Sequence, residues 1–157
     1  MSVADKEAAK KKFLEFIESR NLRMTSQRQA IIDTVFGTDE HFTAEQLLEW
    51  SKEKDQSVSR ATVYRTLPLL VESGFVQEMD LGRENKYYDP NYAEHPQHNH
   101  LICQDCDKIV EFEDEKLEEL EEEISQRLGF SLKTQKLQIS ASCDQLKKLG
   151  ACKNKSC

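Results

Sequence analysis

The spacing of apolar residues changes period near residue 74. Before it, apolar positions recur at helical spacing. Residues 4–19 carry Phe13, Phe16 and Ile17 on one face. Thr25 or Ser26 is placed to cap a second helix with Ala30, Ile31, Val35 and Phe36, ending near Gly37. Thr43, with Gln46 three residues on, has the capping-box pattern for a third, with Leu47 and Leu48 inward. Ser59 caps a fourth that stops at Ser73 and Gly74. Beyond this point, residues 75–80 and 86–89 read as two strands around a turn. Three helices followed by a hairpin predict a winged helix-turn-helix.

The second half predicts a different architecture. Residues 99–103 and 108–112 read as short strands around a cysteine-bearing turn. Residues 115–128 form a helix with Leu117, Leu120, Ile124 and Leu128 on one stripe, stopped at Gly129. Residues 136–143 alternate through Leu137, Ile139 and Ala141, as a half-buried strand does. The fold class is therefore α+β. A winged-helix domain spans 1–91, a hinge 92–97, and a small α/β domain 98–157. About 60 residues bury little core alone, so a metal site, a dimer interface or both must add stability.

The fourth helix places Val63, Leu67, Leu70 and Val71 on one face. At about 100° per residue, Arg65 points the opposite way, with Ala61 and Thr62 beside it and Tyr64 on the flank. A core stripe backed by a small, polar, cationic face suits a major groove, where Arg pairs with guanine. Pro68 removes an N–H that would bond to Tyr64 and should bend the helix.

Composition narrows the class. At 157 residues with 38% hydrophobic and 32% charged side chains, the chain reads as a soluble protein. No apolar run approaches the ~20 residues of a membrane span. Residues 1–12 are polar and mixed in charge, unlike a secretory signal, so a cytoplasmic location is expected. In that setting five cysteines favour metal ligands or redox thiols over disulfides. The net charge of −7 argues against nucleic acid only weakly, because the charge is uneven. Residues 1–28 hold seven Lys/Arg against four Asp/Glu, and the acid concentrates at residues 111–123. That acidic run reads as the solvated face of the leucine-striped helix.

Residues 95–106 hold three of the four histidines, His95, His98 and His100, and two of the five cysteines, Cys103 and Cys106. Imidazole and thiolate bind borderline-soft metals at neutral pH. His98 and His100 alternate as two rings on one side of a strand do. Cys103 and Cys106 have the spacing of half a tetrahedral zinc knuckle. The segment thus predicts two sites.

With these motifs the chain resembles the ferric uptake regulator family of metal-sensing repressors. Three signatures carry the resemblance: residues 61–65 (Ala61, Thr62, Val63, Tyr64, Arg65), the His98, His100, Cys103, Cys106 series, and the following residues 108–112. Their order and spacing match from about residue 8 to Cys143. The resemblance implies a homodimer that closes on palindromic double-stranded DNA operators when loaded with a divalent metal. It makes residues 1–91 the DNA-binding domain and 98–157 the metal-binding dimerisation domain, and it implies no membrane partner and no small-molecule substrate. Arg65 and Tyr64 would face the major groove, and Arg23 would be the minor-groove basic residue. With Ser59, Arg60 and Thr62 they make up the DNA-contact candidates. The regulatory ligands map to His41, Asp89, His98 and His100, with Glu111 as a fifth. Such a mixed N/O set suits Fe(II), Mn(II), Co(II) or Zn(II).

The chain departs from the family twice. A further site of two histidines, an aspartate and a glutamate would fall on Gln97, Asn99, Glu118 and Gln135. Amides are poor ligands for these metals, so that site is expected to be empty. The structural zinc site usually adds a second cysteine pair, but here Cys143 is followed three residues on by Leu146. A four-sulfur Zn(II) site from Cys103, Cys106, Cys143 and Cys152 requires residues 144–151 to form an extended loop. Cys157 is the weaker alternative because termini fray, and reduced thiols without zinc are another.

The sequence therefore predicts a metal-responsive repressor, with iron as its first metal. A peroxide-sensing or Mn/Zn-responsive member is the alternative within the family. A metal-buffering or thiol-redox protein without DNA binding is the alternative outside it. An enzyme is not expected, since no nucleophile, base and orienting residue are grouped outside the metal cluster.

Overall fold

Thr25, Thr43, Ser59 and Asp114 each cap a helix in the computed structural model, which describes residues 3–80, 84–90, 98–133, 135–144 and 148. The chain divides into two compact units, Met1–Pro96 and Gln97–Cys157. The expected hinge at 92–97 and the hairpin turn at 81–83 lie outside the described residues.

The first unit holds α1 (Val3–Ser19), α2 (Ser26–Val35), β1 (Phe42–Thr43), α3 (Ala44–Lys54), α4 (Arg60–Glu72), β2 (Gln77–Met79) and β3 (Tyr87–Asp89). Phe13 and Ile17, one turn apart, bury the inner face of α1. The helix ends where Asn21 takes a φ of 54°, and Leu22 N–H donates to the Ile17 carbonyl at 3.2 Å. Ile31 and Val35 from α2, Leu47 from α3, and Val63, Leu67 and Leu70 from α4 complete one core. Each such side chain contributes roughly 1.5–3 kcal/mol on burial.

Both halves of the capping box at α3 are made. Gln46 N–H donates to Thr43 Oγ1 at 3.2 Å, and Thr43 N–H donates to Gln46 Oε1 at 2.9 Å. Pro68 lies on the exposed side of α4, one turn beyond exposed Tyr64. The Tyr64 carbonyl that Pro68 cannot serve therefore faces water, where the missing bond costs least. Gly74 follows the helix with a φ of 79°, a conformation glycine adopts without strain.

The hairpin strands pair antiparallel, with Gln77 opposite Asp89 and Met79 opposite Tyr87. A third strand, β1, joins them in the order β1-β3-β2. Two residues are too short for an alternation to register, so the sequence reading missed it. It pairs Phe42 with Tyr88 and Thr43 with Tyr87.

The second unit holds β4 (Asn99–Cys103), β5 (Ile109–Phe112), α5 (Glu115–Arg127) and β6 (Gln138–Ala141), in sheet order β5-β4-β6. β5 runs antiparallel to β4, and β6 runs parallel to it. A parallel return needs a long crossover, which contains α5. The helix ends at Gly129, with Phe130 N–H donating to the Ser125 carbonyl at 2.8 Å. The final strand is shorter than the 136–143 alternation suggests. Asp144 and Lys148, the described residues of the 144–151 segment, have helical rather than extended backbone. Ile102 is fully buried, but α5 has no buried residue. Leu120, Leu128, Val110 and Ile139 are 50, 64, 42 and 38% exposed. None of the described helices is long and apolar enough to cross a membrane.

Candidate metal centre and DNA interface

The β1–β3 register accounts for the first pair of candidate ligands. Because Phe42 faces Tyr88 across an antiparallel pair, the next residue out on β1, His41, comes opposite Asp89. His41 Nε2 lies 3.8 Å from Asp89 Oδ1, and the Asp89 side chain is fully buried. The capping box at Thr43 holds the chain immediately after His41, so the imidazole sits on a fixed stem.

The second group comes from the other unit and its own register. His100 pairs with Glu111 across the β4–β5 ladder, and His98 lies on the same face two residues earlier. The two imidazole rings stand 4.5 Å apart between centroids at an interplanar angle of 69°. His98 Nε2 lies 3.5 Å from Glu111 Oε1. Both histidines are buried, while Glu111 is partly open. Two imidazoles and a carboxylate on one strand pair fit a first-row divalent cation by donor chemistry. His95 lies outside the described residues.

Cys103 points to the opposite face of β4 from the two histidines, because the strand alternates. The turn to β5 is tight: Cys103 N–H donates to the Lys108 carbonyl at 2.9 Å, and Asp107 takes a φ of 62°. The β4–β6 pairing sets Cys103 beside Ala141, so Cys143, two residues on, arrives at the same turn. There Cys143 N–H donates to Asp105 Oδ2 at 2.5 Å. Cys103, Cys106 and Cys143 carry no disulfide. Desolvation works against the Cys103 thiolate. The N–H groups of Asp105 and Cys106 and the Cys106 thiol outweigh it and hold Cys103 below the ordinary thiol value. Cys103 and Cys106, with the Cys143 backbone brought to the same turn, suit Zn(II) by donor type. Cys152 and Cys157 lie outside the described residues.

Asn99 also alternates away from the histidines. It is fully buried, and neither its Oδ1 nor its Nδ2 has a hydrogen-bond partner among the described residues. Gln135 Nε2 is in the same condition. Glu118 is half-buried on α5, and Gln97 lies outside the described residues.

The start of α4 is held by side chains. Ser59 Oγ accepts from Thr62 N–H at 3.2 Å, and Thr62 Oγ1 donates to Gln27 Oε1 on α2 at 2.7 Å. The hydroxyls of Ser59 and Thr62 are thus engaged within the protein. Arg60, Tyr64 and Arg65 are exposed, and Arg65 lies opposite the buried Val63, Leu67 and Leu70. Arg23 is exposed ahead of α2, and its carbonyl accepts from the Arg28 guanidinium. Sequence reasoning missed Gln27 and Glu45. Glu45 Oε2 lies 2.9 Å from Arg60 Nη2. Neither had a sequence signal, since each partner lies 15 to 35 residues away.

A winged helix with a cationic outer face, in a chain bearing grouped imidazole, carboxylate and thiolate donors, defines a metal-responsive DNA-binding regulator. A profile described as the ferric uptake regulator family matches residues 19–140, and the chain belongs to that family of transcriptional regulators. Its members bind DNA operators as dimers and are not enzymes. The ferric uptake regulation protein of Campylobacter jejuni is 36% identical over 134 residues, covering 84% of each chain. The peroxide operon regulator of Bacillus subtilis is 32% identical over 138 residues, covering 88% of this chain and 93% of that one. The structure of the Helicobacter pylori ferric uptake regulator Fur aligns with a TM-score of 0.83 at 23% identity, covering 93% of this chain and 96% of that one. At that identity the likeness is one of fold.

Proposed function

We propose that the chain is a repressor that binds palindromic operators as a homodimer when loaded with a divalent metal, Fe(II) in the first instance. The observation that carries the reading is the division of the donors. His41 and Asp89 belong to the DNA-binding unit, and His98, His100 and Glu111 to the other. Neither set offers more than three donors, and together they offer five, within the range a first-row metal takes. One ion drawing on both would select a single arrangement of the two units, and so couple metal binding to DNA binding. Cys103, Cys106 and Cys143 would hold Zn(II) as a static brace; the helical backbone at Asp144 and Lys148 removes the extended loop that Cys152 needs to join them. Arg23, Arg60, Tyr64 and Arg65 would meet DNA, with Ser59 and Thr62 fixing the helix that carries two of the arginines. The open apolar stripe of α5, β5 and β6 would be the dimer face. A cytoplasmic location goes with these roles.

Iron is favoured by the similarity to a ferric uptake regulation protein. A peroxide-sensing role is the second reading, favoured by the similarity to a peroxide operon regulator. The test is binding of a selected operator duplex, followed by fluorescence anisotropy with and without added Fe(II) or Mn(II). Binding is expected only with metal, and is expected to disappear in the His98→Ala/His100→Ala double variant. Metal-independent binding would sink the sensor reading. Hydrogen peroxide abolishing the binding of the Fe(II) form, but not of the Mn(II) form, would move the assignment to the second reading.

A further inference from the structure

An acid from α3 that nothing in the metal reading uses reaches the exposed side of α4. Glu45 sits in the first turn of α3, and its carboxylate reaches across to α4. Oε2 accepts from Arg60 Nη2 at 2.9 Å, and Oε1 accepts from the Tyr64 hydroxyl at 3.5 Å. Arg60 and Tyr64 are one helical turn apart, so a single carboxylate bridges two successive residues of the exposed face. Tyr64, Lys86 and Tyr88 flank Glu45 in a cleft of about 210 Å³ between α3, α4 and the wing strand β3.

Stability does not account for this arrangement. The side chains of Arg60 and Glu45 are 67 and 43% exposed, and ion pairs so exposed add little to stability. On a surface that approaches phosphates, a carboxylate also weakens binding by repulsion. A residue with little structural return and an electrostatic cost belongs there only if it does something to recognition.

We propose that Glu45 is a positioning residue that sets DNA specificity. Its carboxylate holds the Arg60 guanidinium and the Tyr64 hydroxyl in fixed directions before DNA arrives, so that both reach base edges with little ordering cost. By neutralising Arg60 it also lowers attraction to phosphate at sites of any sequence. Both effects widen the gap between operator and non-operator DNA. The inference rests on the reading of α4 as the recognition helix.

The experiment compares wild type, Glu45→Ala and Glu45→Gln as full-length, metal-loaded protein. Anisotropy titrations use the selected operator duplex and a scrambled duplex of equal length across a KCl series. Glu45→Ala is expected to bind the scrambled duplex more tightly, with a steeper salt dependence, because Arg60 is released to phosphates. Its operator-to-scrambled ratio should fall by about tenfold, the order of one lost base contact. Glu45→Gln keeps an acceptor oxygen but not the charge, so its ratio should fall between those of wild type and Glu45→Ala. A Glu45→Ala ratio equal to wild type, with both affinities rising together, overturns the proposal, as does a Glu45→Gln ratio as low as that of Glu45→Ala. Arg65→Ala runs alongside. If it too leaves operator binding unchanged, the failure lies in the assignment of α4 rather than in Glu45.

Discussion

His41 Nε2 and Asp89 Oδ1 lie 3.8 Å apart because a two-residue strand, β1, pairs with the last strand of the wing. The sequence separates these residues by two helices and a hairpin. The pairing makes the wing's end and the start of α3 one structural unit, so a metal held there acts on the elements that frame α4. Asp89→Asn keeps the shape and exchanges the carboxylate for a poor ligand. Its affinity for Mn(II) at the proposed regulatory site should fall by about 10–100-fold or more, since losing even an outer-shell partner costs that much. Competition against a fluorescent chelator measures it. An unchanged affinity removes Asp89 from the ligand set.

Arg65 lies opposite the buried Val63 and Leu70 on α4. Arg65→Ala should weaken operator binding by about 1–3 kcal/mol and relax specificity at one base position. Its unfolding midpoint in urea should match wild type, because the side chain packs against no core. Equal losses on operator and scrambled DNA would make Arg65 a phosphate contact instead.

Thr43 caps α3 and accepts the return bond through Gln46. Thr43→Ala removes the side-chain acceptor and should cost about 1 kcal/mol of stability. Chemical denaturation monitored by the fluorescence of Trp50, which packs edge-on to Phe42, reads this loss locally.

Leu120 is half exposed on a helix that buries none of its residues. If the stripe it shares with Leu128 is the dimer face, Leu120→Asp should shift the protein toward monomer in sedimentation velocity. Operator affinity should drop with it, since a palindrome is then met by one half-site reader at a time. A variant that stays dimeric moves the interface elsewhere.

The helices were legible because each carries its own start signal and its own apolar stripe. Thr25, Thr43 and Ser59 are N-caps, and Asn21, Gly74 and Gly129 take the left-handed conformation just past helix ends. The candidate ligands on β4 were legible for a related reason: His98 and His100 are close in sequence, and strand alternation alone puts them on one face. Pro68 made no sense from sequence and does so only once its side of α4 is seen to be the exposed one.

Local spacing therefore determined the elements, the apolar faces and the two chemistries of residues 95–106. It also carried the family resemblance that named His41, Asp89 and Cys143 as partners. Tertiary structure decided how those partners meet. β1 against β3 brings His41 to Asp89, and β6 beside β4 brings Cys143 to the cysteine turn. It alone revealed that Gln27 and Glu45 hold the face of α4. The physical reason is range. Caps and periodicity act within a few residues, whereas strand register and cross-helix hydrogen bonds join positions whose proximity the intervening chain does not encode locally.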